Sequence, residues 1–499
     1  MDRVFTFALL GLFAPSVHAQ SPESHQLGNS AYLRLSPLAG GGHLILSERR
    51  FGIDSSHAQV LLVDAGWNVT PLAARRFQYP LWYMFDAAPI PTGMVVSGAL
   101  TSGSIPQLHA VDMDGSLAWV TGFAGMQHSQ HRIAMLFSEG PAIYGYTSQD
   151  GFFGSGMYRV EAEQTGTSFA FRLTTVSNTQ FRFYSGAMAG TPAEHVLGGS
   201  IRNTGTNDYD ALLGHFDASG ATWMKRLDLG APVSGIEQVS GVVRMTNGEH
   251  AWALMASGSP ARGYFLRMDM DGNPLAGAVI EDPAGIYLAA IIQLDDGSLL
   301  LSGSRGNTPI LIRLTDTGSL ISTMECSNCT TGGIGRFQRD AAGDLIASGS
   351  SVIFVLSADG EACGYVPNNT VTSSPYSPAF VDLAPVNNLT PTVTTTDLIM
   401  LERDPVGSIA QVCGATGIQE ASGRSTLAAY PVPCGDRLWL GTPGEVARNE
   451  WVVVHDLSGA LVADQGYGDG LDVRSLAPGM YVAVLPRLSQ RALFMRAAD

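Results

Sequence analysis

The amino-acid sequence predicts an all-β protein: a seven-bladed β-propeller, with eight blades as the alternative count, followed by a small β-sandwich of Ig-like or fibronectin-like type. Three observations carry this expectation. A strand–turn–strand pattern recurs roughly every 50 residues. The composition, 45% hydrophobic and 14% charged with 58 Gly and 26 Pro in 499 residues, suits many short strands joined by tight turns and is the opposite of a disordered chain. The pattern then changes style after residue 424.

The repeat begins with an apolar run that ends in a pair of small residues. A variable polar loop follows, then a second apolar run that enters Asp-x-x-Gly. Val95-Val96-Ser97-Gly98 precedes Leu108 to Gly115, Val196-Leu197-Gly198-Gly199 precedes Leu213 to Gly220, and Leu299 to Gly303 precedes Ile312 to Gly318. Equivalent anchors fall at Asp64, Asp112, Glu161, Asp217, Asp269, Thr315 and Ser357, in steps of 48, 49, 56, 52, 46 and 42 residues. That period, with three or four strands per unit, fits a propeller blade and exceeds any solenoid repeat of ~20–35 residues. Asp in the turn bonds its own backbone two residues on, and Gly takes the positive φ that closes the hairpin. Residues 378–412 have no anchor and are expected to supply, with the N-terminal segment, the strand that closes the ring.

The N-terminus reads as a signal peptide over 1–19: Arg3, an apolar run from Val4 to Ala14, and Val17-His18-Ala19 before Gln20. The apolar run is too short to span a bilayer, and no later stretch reaches the ~18 apolar residues of a membrane helix. The expectation is therefore export, with no transmembrane segment. The formal net charge of -16 repels phosphate backbones and argues against nucleic acid. Lys225 is the single lysine in a Lys+Arg total of 28, a skew with no evident link to binding.

Domain boundaries follow: propeller over 20–413, linker over 414–424, sandwich over 425–499. In the last region Tyr430-Pro431-Val432-Pro433 leads to a strand at Arg437–Leu440. A second strand from Trp451 runs into Asp456-Leu457-Ser458-Gly459, and Leu476-Ala477-Pro478-Gly479-Met480-Tyr481 opens a late strand. Alternation and Pro-Gly turns predict a small antiparallel sandwich. These residues resemble the type A C-terminal sorting domain of the type IX secretion system, whose members carry a Tyr-Pro-Asn-Pro start, a hydrophobic-Asp-x-x-Gly hairpin and a Leu-x-x-Gly-x-Tyr strand. The matching positions are Tyr430, Pro431 and Pro433, then Asp456 and Gly459, then Leu476, Gly479 and Tyr481. Val432 stands where the family has Asn, and Arg491 and Arg496 stand where a lysine-rich end is common. The resemblance covers the last seventh of the chain. It implies passage through the outer membrane by the type IX machinery, then removal of this domain and surface attachment or release.

Five cysteines in an exported chain point to disulfides. Spacing suggests Cys326 with Cys329 and Cys363 with Cys413, leaving Cys434; a four-cysteine zinc site from the same residues is the alternative an oxidising compartment disfavours. The turns at Asp112 and Asp269 mimic the start of a calcium loop, but Phe123 and Ile280 stand where the bidentate Glu belongs, so hairpin turns are expected. His128 and His131 lack a Glu-x-x-His frame, and Asp295-Asp296 precedes Gly297 in a turn. Nothing matches a nucleophile elbow, a phosphate loop or a dinucleotide fingerprint. The expectations are no catalytic residue, no metal and no cofactor. The leading reading is a secreted or surface, non-catalytic protein whose propeller binds a glycan or protein through loops such as 51–58 and 202–210. Trp82, Tyr83 and Phe85 are candidates for sugar stacking or core packing. A secreted polysaccharide hydrolase or lyase is the alternative; it requires acids converging at the mouth of the central channel.

Overall fold

The structure, a computed structural model, describes residues 23–497 except 28–30, 38–41, 51–55, 65–66, 78–81, 101–104, 125–132, 150–155, 177–179, 190–192, 203–208, 231–234, 327–333, 340–342, 350–351, 390–392, 398–399, 404–408, 414–428, 431–435, 441–450, 457–460, 469 and 486–489. The expected signal peptide and linker, together with His128, His131, Cys329, Pro431, Pro433, Cys434 and Gly459, lie outside the described residues. Those described form strands and turns with no helix.

The fold is an all-β propeller. Seven antiparallel sheets follow one another in chain order; six have four strands from the repeat, the seventh has three and the N-terminal strand, and each gains a fifth strand later. Blade 1 is Ala31–Pro37, His43–Arg50, Ser56–Val63 and Val69–Phe77. Blade 2 is Trp82–Ile90, Gly93–Leu100, Ile105–Asp112 and Leu117–Ala124. Blade 3 is Ile133–Glu139, Ala142–Gln149, Gly156–Glu163 and Phe169–Val176, and blade 4 is Gln180–Met188, His195–Arg202, Tyr209–Asp217 and Gly220–Leu227. Blade 5 is Glu237–Arg244, His250–Ala256, Arg262–Met268 and Pro274–Glu281, and blade 6 is Ile286–Gln293, Leu299–Arg305, Thr308–Leu314 and Leu320–Cys326. Blade 7 takes Arg336–Arg339, Leu345–Ser348 and Val352–Val355 from the repeat and completes itself with Glu23–Leu27 from the N-terminus. Leu35, Ile45, Leu61 and Val63 of blade 1 share a core with Ile346, Ile353 and Val355 of blade 7, so the ring is closed.

Burial follows position within a blade. The second and third strands lie between neighbouring blades, so both faces are covered. His195–Arg202 and Tyr209–Asp217 are buried almost throughout, polar Ser200 and Asp210 included. The fourth strand alternates more, as in Leu320–Cys326.

The recurring small pair has a structural cause. In blades 1 to 6 the innermost strand carries a β-bulge, for example between Met84 and Asp86, Phe183 and Ser185, and Leu288 and Ala290. In blades 2, 4 and 6 the small pair is the segment facing it: Ser97 and Gly98 pair with Asp86 and Met84, Gly198 and Gly199 with Ser185 and Phe183, Ser302 and Gly303 with Ala290 and Leu288. The backbones are so close there that a Cβ on Gly199 would stand 1.7 Å from the Arg182 carbonyl oxygen, and one on Gly303 2.1 Å from that of Tyr287. Glycine is therefore required by close approach, not by φ.

The Asp-x-x-Gly turns join third to fourth strands, and in blade 7 the turn follows the third strand. Gly115 N–H donates to the Asp112 carbonyl at 2.9 Å, Gly272 to Asp269 at 3.1 Å, Gly318 to Thr315 at 3.0 Å and Gly360 to Ser357 at 2.9 Å. In blade 3 the anchor is Glu163, not Glu161: Glu161 sits inside the strand, and Gly166 donates to Glu163. Blade 1 departs differently, because Trp67 occupies the position of the glycine with φ 63. Its indole stacks on His43, with ring centroids 5.6 Å apart, a contact that helps hold the strained backbone.

Residues 365–413 depart from the expectation of a single closing strand. They form a belt that runs backwards around the ring and adds the fifth strand to every blade: Tyr365–Pro367 to blade 6, Thr372–Pro375 to blade 5, Phe380–Asp382 to blade 4, Pro385–Leu389 to blade 3, Thr394–Asp397 to blade 2, Met400–Arg403 to blade 1 and Ile409–Cys413 to blade 7. Only that last strand lies against the N-terminal one, Ser24 pairing with Cys413. As the belt crosses from blade to blade it packs an apolar side chain onto an inter-blade core: Tyr365, Val371, Tyr376 with Phe380, Leu383 and Val393 in turn. Cys326, ending blade 6, and Cys363, just before the belt, each take part in a disulfide. The side chains of Cys329 and Cys413, the partners expected from spacing, lie outside the described residues.

The C-terminal region is a two-sheet sandwich. Ala429–Tyr430, Arg437–Leu440 and Leu471–Asp472 form one sheet; Leu461–Gly466, Trp451–Asp456, Gly479–Leu485 and Gln490–Arg496 form the other. The strand Gln490–Arg496 adds to those expected from alternation. Leu438, Val452, Val454, Leu471 and Phe494 share one core.

Candidate functional site

Antiparallel alternation gives the ring two unlike faces. The links from first to second and third to fourth strands emerge on one face, and the described ones are short turns such as 91–92, 112–116 and 315–319. Links from second to third strands and between blades emerge on the other. The strand ends bracketing 51–55 and 203–208 belong to this second face, as do the described links 257–261 and 282–285. The strand ends that flank both loops singled out from sequence thus lie on the same face.

The channel along the axis is lined by the innermost strands. The bulges turn Asp86, Ser185, Gly241 and Ala290 towards a cavity of about 250 Å³, which Leu136, Phe137 and Phe337 also line. Among the described residues its charged groups are Asp86 of blade 2 and Arg336 of blade 7, which form an ion pair across the ring. Asp86 is buried and also accepts the Leu136 N–H at 3.0 Å, while Ser97 Oγ bridges the Asp86 backbone. Arg336 leaves 41% of its side chain exposed. Among the described residues that line the cavity, Asp86 is the one carboxylate, and it is already paired. Chemically, the channel can bind a small polar molecule through the Arg336 guanidinium.

A second cluster lies on the loop face between blades 4 and 5. Buried Asp210 and Glu237 and exposed Asp228 each place a carboxylate oxygen within 4.8 Å of the other two. Arg226 Nε stands 3.4 Å from Asp210 Oδ2, and the Leu229 N–H donates to Glu237 Oε2 at 2.5 Å. The three acids could hold a divalent cation, although Arg226 already balances part of their charge. Sequence reasoning missed them because they sit at three separate strand ends, with no spacing signature.

A third group is buried on the tight-turn face. His195, His215 and His250 lie around blades 4 and 5. Burial first, then the Arg159 charge and His215, push His195 down to about 3; burial, His215 and Arg244 push His250 down to about 4; burial also lowers His215. Tyr146 Oη lies 2.8 Å from His195 Nδ1, and Arg159 stacks over Tyr144 at 4.8 Å. These imidazoles are neutral core groups.

The other sequence candidates resolve as follows. Asp112 and Asp269 are hairpin residues: Asn273 N–H donates to Asp269 Oδ1 at 2.8 Å. Asp296 caps its turn through Ser298 and pairs with Arg313, and Asp295 pairs with Arg339 at 2.7 Å. Trp82, Tyr83 and Phe85 are on the innermost strand of blade 2, with side chains outside the described residues. In the sandwich, Tyr430 pairs with Trp439 and Asp456 with Tyr481. Leu476 and Tyr481 are in the core, Gly479 opens the strand between them, and Tyr481 O–H donates to the Ala477 carbonyl at 2.8 Å. That corner makes the Leu-x-x-Gly-x-Tyr segment a packing unit.

No protein-family model matches the chain, and no curated protein matches it. Among solved structures it is similar to Drosophila Plexin A in complex with Semaphorin 1b, at 9% identity and TM-score 0.40, and to the extracellular domains 1–2 of Drosophila Semaphorin 1b, at 10% identity and TM-score 0.40. In each case the match covers 68% of this chain and 87% of the other. No helix among the described residues is long and apolar enough to cross a membrane.

Proposed function

We propose that this chain is a secreted or cell-surface, non-catalytic binding protein whose propeller takes a glycan or protein ligand on the loop face and at the channel mouth. The observation that carries the reading is the asymmetry of the ring: tight turns close one face, while the variable links gather on the other around a channel whose only described acid is already paired. The C-terminal sandwich is its sorting module for type IX secretion. This part rests on the ordered motifs from Tyr430 to Tyr481 and on Leu476 and Tyr481 forming part of a separate core.

Two experiments test the reading. The purified mature chain, screened against glycan arrays and polysaccharides, is expected to bind saturably without releasing product; new reducing ends or unsaturated sugars would establish the hydrolase or lyase alternative. A chain ending at Gly423, expressed in a type IX-competent host, is expected to stay behind in the periplasm. Surface delivery equal to that of the full chain would remove the sorting assignment.

A further inference from the structure

We infer that the central channel is a binding site for one small carboxylate-bearing sugar unit, a uronate, with Arg336 as the residue that receives the carboxylate. The inference deepens the ligand-binding reading above and rests on it.

Three features converge. The cavity, about 250 Å³, holds one sugar ring and is built by innermost strands of six blades, so it is a property of the ring and not of a loop. The bulges interrupt the strand ladders where they face the axis, which leaves backbone groups for a polar occupant or for water.

The ion pair itself is one-sided. Asp86 is buried and receives Arg336 Nη1 and the Leu136 N–H, so its charge is spent. Arg336 is half exposed, and its Nε and Nη2 have no partner among the described residues. A planar fork with two free donors matches a carboxylate, and the apolar walls at Leu136, Phe137 and Phe337 suit the C–H face of a pyranose. Asp86 therefore orients the guanidinium, and Arg336 recognises the acid. No other charged side chain among the described residues lines the cavity.

The test is calorimetric titration of the full chain with galacturonate and with galactose as its neutral counterpart. Galacturonate is expected to bind at least tenfold more tightly. Because Arg336→Gln alone would strand a buried carboxylate, the variant used is the double Asp86→Asn/Arg336→Gln, with folding checked by its melting curve. It is expected to lose the tenfold preference, and Asp86→Asn alone, which frees the guanidinium, to strengthen galacturonate binding several-fold. Equal affinity for the two sugars, no binding of galacturonate, or an undiminished preference in the folded double variant would overturn the inference. If glycan-array binding persists in any of those cases, the broader ligand-binding reading stands while the channel assignment falls.

Discussion

The blades and the belt are made of the same secondary structure and held by different forces. A blade strand such as His250–Ala256 is buried along nearly its whole length, and Trp252 within it has no exposure. A belt strand such as Phe380–Asp382 is three residues long and mostly exposed, with Val381 at 47%. Beyond its ladder pairing and apolar contacts at the clefts, the belt relies on side-chain hydrogen bonds. Asn387 accepts from the Ala221 N–H at 3.0 Å and the Thr174 hydroxyl at 3.2 Å and donates to the Ala221 carbonyl at 2.8 Å. Lys225 pairs with Asp382, and Thr370 and Arg305 both reach buried Asp282. The difference teaches that ring stability comes from inter-blade cores, while the belt covers edges and stitches clefts. The belt also replaces each long outer strand by an edge strand of three to five residues, a poorer template for sheet association.

The largest expected effect is at the bulge. Gly199→Val places side-chain atoms inside backbone van der Waals distance and should cost more than about 4 kcal/mol, enough to prevent folding; a cooperative urea transition near that of the wild type would show that the strands can separate there. Next comes Trp252→Ala, expected to lose about 3–5 kcal/mol in the same measurement, against at most about 0.5 kcal/mol for Val381→Ala. Equal losses would erase the distinction between blade and belt.

Acid should act on the blades. Neutral His195 and His250 have folded pKa values near 3 and 4, below the unfolded 6.5. The unfolded chain therefore binds more protons once the pH drops under 6.5, and stability falls through that window until the folded values are reached. Between pH 6.5 and 5 each should cost about 1–2 kcal/mol, read as a falling melting temperature. His250→Gln should flatten part of that slope. A melting temperature constant over the range would mean that these imidazoles are not held neutral. A loss of similar size is expected where the belt is stitched to the ring: Asn387→Ala should cost about 1–2 kcal/mol, more than Val381→Ala. Amides of 365–389 should exchange hydrogen faster than those of the inner strands in either protein. Belt amides as protected as those of Trp252 would make the belt part of the cooperative core.

Much of the blade was legible because its constraints are local. Apolar runs of strand length, the small pair at Ser97-Gly98 or Ser302-Gly303, and Asp-x-x-Gly each recur at fixed offsets, so the repeat and its period could be read directly. The error at Glu161 arose where the turn residue is Glu163 and the loop is one residue longer. The sandwich motif was legible for the same reason, since Leu476, Gly479 and Tyr481 meet within one corner. The belt was not legible: its strands are short, polar and set by the spacing of the clefts they cross, which no periodicity within 365–413 expresses. The channel pair Asp86 and Arg336 is separated by 250 residues, and Asp210, Asp228 and Glu237 lie at the ends of three strands; neither carries a motif.

The sequence by itself determined the strands, the turns, the repeat and the all-β class, because backbone preference and side-chain alternation act over a few residues. Tertiary structure alone decided that Glu23–Leu27 completes the last blade, that the belt runs against the order of the blades, and that one guanidinium faces the axis. Those outcomes depend on closing a ring, which brings distant segments together by geometry that local patterns do not contain.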